Sequence, residues 1–161
     1  LMNQCIHNID LLQWMIGSDV ENVTAELDTF SHDIEGEDFG ALLIRFKNKA
    51  IGIVEGSVCV YPKNLEETLS VFGEKGTVVI GGLAVSNIKT WRFADGKDSE
   101  EEMAGQGWKD PDSVYGYGHT PLFKNMIDAI NHDKDPYVNG KEGRKGLDII
   151  LRAYAAARGD T

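Results

Sequence analysis

The spacing of apolar residues changes period along the chain, from helical to alternating and back to helical. From Met2 to Ile16 apolar residues stand on nearly every side of a helix: Met2, Cys5, Ile6, Ile9, Leu11, Leu12, Trp14, Met15 and Ile16. A helix of that kind is expected to be buried. Gly17 and Ser18-Asp19 supply its stop. Alternation of period two follows. Val20 to Phe30 reads as a strand with Val23, Ala25, Leu27 and Thr29 on one face. Phe39 to Phe46 and Ala50 to Val60 flank the turn Lys47-Asn48-Lys49 as a hairpin, and Gly52 and Gly56 in the second arm predict a bulge or a close backbone approach. Glu66 to Phe72 and Thr77 to Ile80 flank Gly73-Glu74-Lys75-Gly76 as another hairpin, and Ile88 to Phe93 gives one more strand.

Two helices close the pattern. Thr120 is the expected N-cap of the first, with Pro121 at the first helical position and Leu122, Met126, Ile127 and Ile130 as its apolar stripe. The second starts at Asn139, with Glu142 as capping-box partner and Leu147, Ile150, Leu151, Tyr154 and Ala155 as its stripe. One helix, five to seven hairpin-connected strands and two final helices predict an α+β fold: an open, mostly antiparallel sheet with helices on one face. Its other face needs a cover, and a second subunit is the expected one.

Composition narrows the partners. The 161 residues are one domain's worth, and 42% apolar with 26% charged residues is ordinary for a globular protein. The formal charge of −10 argues against nucleic acid or an anionic membrane as the main partner. No apolar run approaches the roughly 20 residues that span a bilayer. Cys5 and Cys59 lack metal-ligand spacing and read as two reduced, packed thiols of a cytoplasmic protein. The acidic clusters Glu35–Asp38 and Asp98–Glu102 read as solvated loops, and His32 and His132 as exposed. The chain opens inside a helical pattern, so a fragment of a longer protein is expected.

Chemistry concentrates on the first helix. At about 100° per residue, Asn3, His7 and Asp10 fall within roughly 60° of one another. An amide, an imidazole and a carboxylate on one stripe of an apolar helix need partners if buried, and their convergence suits a site. His-x-x-Asp is also the spacing of a satisfied core pair, and as a metal site His7 with Asp10 lacks ligands. The second candidate is Tyr115-Gly116-Tyr117-Gly118-His119, glycines and aromatics ahead of a helix N-terminus, which suits a sugar or phosphate or serves as plain punctuation. Trp108, in the polar stretch Asp95–Asp112, reads as a lid residue or a loop anchor. No G-x-G-x-x-G strand–helix unit, P-loop, G-x-S-x-G or C-x-x-C is present.

The run Leu1-Met2-Asn3-Gln4-Cys5-Ile6-His7-Asn8-Ile9-Asp10-Leu11-Leu12 resembles the second-domain helix of the Gfo/Idh/MocA oxidoreductases. Phe123 to Ile130, Asp135-Pro136 and Gly140 to Leu147 resemble that family's closing helices. The resemblance implies a glyceraldehyde-3-phosphate-dehydrogenase-like C-terminal domain that serves substrate binding and homo-oligomerisation. It also implies a preceding Rossmann domain that binds NAD or NADP and supplies a lysine from a Glu-Lys-Pro motif. It places His7 at the catalytic histidine, and Asn3 where many relatives carry an aspartate. Asn3 can orient a hydroxyl or that lysine but cannot accept a proton. Gln4, Asp10, Tyr117 and His119 are then expected at the substrate, with Asp10 fixing the imidazole tautomer or anchoring the helix. The helix is similar to those of members that oxidise the 3-hydroxyl of UDP-N-acetyl amino sugars. An imidazole, with an ordinary pKa of about 6.5, suits the proton step of such an oxidation. The chain alone is expected neither to bind NAD nor to turn over. The rival reading is a non-catalytic module whose sheet dimerises while the His7 helix merely packs.

Overall fold

The structure is a computed structural model that describes residues 1–82, 85–96, 102, 103 and 118–160. Its elements are α1 (Ile6–Ile16), β1 (Val20–Asp28), β2 (Phe39–Phe46), β3 (Ile51–Ser57), β4 (Leu69–Gly73), β5 (Gly76–Gly81), β6 (Asn87–Phe93), α2 (His119–Asn131) and α3 (Gly140–Arg158). The fold is α+β with antiparallel strands, as expected. Among the described residues the strands form two three-stranded sheets, ordered β1-β2-β3 and β4-β5-β6, rather than a single ladder. The chain divides into two compact units, one of Leu1–Pro62 with Tyr137–Thr161 and one of Lys63–Pro136.

In the first unit the alternation of β1 and β2 points Val23, Leu42, Ile44 and Phe46 to one side of the sheet, where all are buried. Ile9 and Leu12 of α1 are buried with them. On α3, which packs on both β1 and α1, Ile149, Ile150 and Ala153 are buried. Burying each large side chain removes about 1.5–3 kcal/mol of apolar exposure from water. The two-sided contact turns α3 so that Gly146, Ile149, Ile150 and Ala153 face inward, while Leu151, an expected core residue, is half exposed.

The caps explain the helix limits. Gly17 ends α1 in the left-handed region (φ 63°), its N–H on the Gln13 carbonyl at 3.0 Å. Asn139 caps α3 as expected, its Oδ1 accepting from Lys141 and Glu142 N–H at 3.0 and 3.1 Å. The close approach expected at Gly52 is real: a Cβ there would lie 2.8 Å from Leu12 Cδ2.

The opposite face of β1–β3 is open. Leu43, Ile51 and Ile53 are half or more exposed on it, with Thr24, Glu26, Arg45 and Glu55 around them in register.

In the second unit the Gly73–Gly76 hairpin forms as expected, with those two residues paired. Leu69, Val78 and Ala129 are its buried apolar residues among those described. α2 starts earlier than its sequence suggests. Gly118 is already in the right-handed helical region and its carbonyl accepts the Leu122 N–H, so Thr120 lies inside the first turn and caps nothing. The apolar stripe of α2, Leu122, Met126, Ile127 and Ile130, is exposed.

Candidate functional site

The first helix is not buried in this chain. Asn3 and Gln4 lie in a turn ahead of α1, closed by the Cys5 N–H on the Leu1 carbonyl at 3.0 Å, and α1 itself begins at Ile6. Asn3, Gln4 and His7 are exposed, and Trp14 on the same side is 69% exposed. The physical reason is that α1 packs against α3 and the sheet along one side, where Ile9, Leu12 and Gln13 are its buried residues, so the opposite side meets solvent. The expectation of three polar groups stranded in a core therefore gives way to an open stripe: two hydrogen-bonding side chains, Asn3 and His7, with an indole further along.

Asp10 differs from its two companions. It is half buried, its Oδ1 accepts from Gln13 Nε2 at 3.3 Å, and it sits against Gly146 of α3, where a Cβ would lie 3.2 Å from its own. Its carboxylate turns toward Gln13 and its body closes the α1–α3 contact. Of the remaining candidates, His119 is exposed as the first residue of α2 in the second unit. Tyr115, Gly116, Tyr117 and Trp108 lie outside the described residues.

Two features escaped the sequence pattern. Asp38, expected in a solvated loop, is 1% exposed. Its carboxylate accepts N–H bonds from Phe30 (2.8 Å), Ser31 (2.7 Å) and His32 (3.0 Å) and the His32 Nδ1–H at 3.1 Å. Burial opposes the charge, yet those donors hold the carboxyl far below the usual carboxylate range. Its carbonyl accepts the Val58 N–H at 2.9 Å, so one residue ties the loop after β1 to the segment that leaves β3.

Cys59, expected to be packed, is exposed, with its Sγ 3.7 Å from the same carbonyl. His32, Asp38 and Cys59 bring potential ligand atoms within 4.8 Å of one another. The Asp38 oxygens are already engaged by four donors, which makes the cluster a loop fastening.

The second missed feature is Tyr154 of α3, whose hydroxyl donates to Glu37 Oε1 at 2.9 Å. Burial and that bond push its pKa up to about 12. Periodicity places Tyr154 on its helix stripe but signals neither bond: Asp38 meets the backbone of an irregular loop, and Tyr154 a partner 117 residues away.

A cleft of about 490 Å³ lies at the other end of α1, lined by Trp14, Lys47, Lys145 and Arg152 among others. Its lysines are paired, Lys47 with Asp19 at 3.0 Å and Lys145 with Glu142 at 2.6 Å. Solvent-screened pairs of this kind add little to stability and leave no unpaired lysine charge to draw a ligand.

An exposed amide in the turn before α1 and an exposed imidazole on its first turn can grip a hydroxyl and move its proton. Residues 1–79 match the GFO/IDH/MocA C-terminal domain. The chain belongs to the GFO/IDH/MocA family. It is 24% identical over 98% of its length to the myo-inositol 2-dehydrogenase of Thermotoga maritima, covering 45% of that protein. It is 33% identical to the WlbA dehydrogenase of Bordetella pertussis, solved with NADH and UDP-GlcNAcA; the match covers 99% of this chain and 43% of that one at a TM-score of 0.79. For the WlbA dehydrogenase of Chromobacterium violaceum, solved with the same two ligands, the identity is 35%, the coverage 99% and 44%, and the TM-score 0.84. This GFO/IDH/MocA chain thus spans less than half the length of the relatives it matches. Those relatives are dehydrogenases. Among the described residues, no helix is long and apolar enough to cross a membrane.

Proposed function

We propose that this chain is the substrate-side domain of an NAD(P)-dependent dehydrogenase that oxidises a secondary hydroxyl of a sugar or nucleotide sugar, with a UDP-N-acetyl amino sugar favoured. The observation that carries the reading is 33–35% identity over 99% of the chain to two dehydrogenases solved with NADH and UDP-GlcNAcA. The open Asn3–His7 stripe supports it, since a substrate must reach those groups.

In this reading His7 takes the hydroxyl proton, directly or through a lysine from a preceding domain, as the C–H bond breaks. Asn3 donates or accepts a hydrogen bond to the hydroxyl or to that lysine and carries no proton itself. Gln4, Tyr117 and His119 are assigned to the substrate. Asp10 is assigned to the α1–α3 contact, which sets the pitch of the helix beneath His7. A bound nicotinamide supplies the hydride acceptor; the chain has no glycine-rich strand–helix cradle for it, so its binding is assigned to a preceding Rossmann domain. The open face of β1–β3 is assigned to a second copy. Its apolar centre of Leu43 and Ile53 lies between acidic Glu26 and Glu55 on one side and Arg45 on the other, an arrangement that a two-fold axis would make self-complementary.

The test is turnover of the full-length polypeptide with NAD or NADP against UDP-N-acetyl amino sugars and free polyols. His7→Asn is expected to lower kcat by about 10²–10⁴-fold. An unchanged rate sinks the assignment of His7. Activity on free polyols alone overturns the nucleotide-sugar preference, and tight NAD binding by these 161 residues by themselves overturns the division of labour between domains.

A further inference from the structure

The turn that leads into α1 rests on a gap in the sheet. Gly40 of β2 and Gly56 of β3 are direct partners in the ladder, so two adjacent positions on one face carry no Cβ. Neither glycine has a positive φ, so the backbone conformation does not call for glycine at either place. Space does. A Cβ on Gly40 would lie 2.9 Å from Leu27 Cδ2 and 3.2 Å from Leu1 Cδ2. A Cβ on Gly56 would overlap the Cys5 sulfur, while the Cys5 Cβ would remain 3.7 Å away, an ordinary contact. A third support comes from α3, where the Tyr154 hydroxyl takes a backbone hydrogen bond from Met2 and donates to Glu37. Residues 1, 2 and 5 are thus held from below, while Asn3, Gln4 and His7 face outward.

We infer that the Gly40–Gly56 pair is a seat that positions the Asn3–His7 turn for reaction, with Gly56 and Cys5 as its tightest positioning residues. The inference rests on the reading of Asn3 and His7 as the reacting groups. A glycine in a strand interior weakens the strand, and two of them side by side are accounted for by what they let approach. Shallow seating matters because a displacement of about 1 Å in a reacting group can cost roughly 10²-fold in rate. Adding a methyl at Gly56 drives the sulfur, and with it the start of α1, away from the sheet. Removing the sulfur restores the space.

The test compares Gly56→Ala with the double variant Gly56→Ala, Cys5→Ala in the full-length polypeptide. Gly56→Ala is expected to lower kcat by about 10- to 100-fold while KM for NAD stays within about twofold, and to speed hydrogen exchange at the Cys5 and Ile9 amides. The double variant is expected to recover most of the loss in both measurements. Unchanged exchange in Gly56→Ala overturns the seat, and where His7→Asn does lower the rate, so does an unchanged kcat or a double variant as slow as the single one. If Gly56→Ala alone does not fold, soluble and active double variant supports the seat, and an equally insoluble one overturns it. Exchange needs no turnover, so the seat is tested even where His7→Asn leaves the rate intact and the reading of His7 fails.

Discussion

Two glycines of the same helix should respond in opposite ways to the same methyl group. Gly143 and Gly146 both lie in the first half of α3, and neither has a positive φ. At Gly143 a Cβ meets nothing within 4 Å. Gly143→Ala therefore gains the helix propensity difference alone, about 0.8–1 kcal/mol. At Gly146 the Cβ would lie 3.2 Å from Asp10 Cβ, 3.3 Å from its Oδ1 and 3.4 Å from its Cα. The last is backbone, so α1 itself must move by a few tenths of an ångström, and overpacking of this sort costs about 1–3 kcal/mol. Set against the same propensity gain, Gly146→Ala should range from neutral to about 2 kcal/mol destabilising. For a chain of this length 1 kcal/mol moves the midpoint by about 2–4 °C. Thermal and urea unfolding followed by far-UV circular dichroism should place Gly143→Ala above the parent and Gly146→Ala at or below it. Equal stabilisation by both would refute the reasoning, because it would mean that Asp10 does not close the α1–α3 contact.

Three other outcomes follow from the geometry. Asp38 has its folded pKa depressed below the ordinary value, so its contribution to stability is full above about pH 4 and is lost as pH falls further, through the folded value. Amide exchange at Phe30, Ser31 and His32 should stay slow down to that pH and rise below it, and Asp38→Asn should expose these amides even at pH 7; protection that is indifferent to both would contradict the anchoring role. Ile53, 76% exposed at the centre of the open sheet face, is the position to test the proposed self-association. Ile53→Glu should shift the protein to a smaller species in analytical ultracentrifugation with little change in melting temperature, and an unaltered sedimentation profile would remove that face from the interface. Asn3→Asp in the full-length polypeptide should retain turnover and move the pH profile, since it introduces a carboxylate where Asn3 offers only an amide; a profile identical to that of the parent would place Asn3 away from the reacting hydroxyl.

The sequence alone determined the elements and their order, because both depend on neighbours a few residues apart. Alternating apolar residues set β1 to β3 and which side of each faces the helices, and turn chemistry at Lys47-Asn48-Lys49 and Gly73–Gly76 set the hairpins. Asn139 announced the start of α3, since a cap bonds amides only two and three residues away. The His7 helix, too, was legible in the residues themselves. Burial was not, because it depends on what an element packs against. A helix apolar all round was expected in a core, yet α1 meets the sheet on one side only. α3 rotates its stripe to satisfy β1 and α1 together. Only the tertiary structure brought Asp38 under the amides of residues 30–32, Tyr154 onto Glu37 and Cys5 against Gly56. Contacts to irregular loops or to positions far along the chain leave no local period, so the sequence names the candidate side chains while the fold decides how they are held.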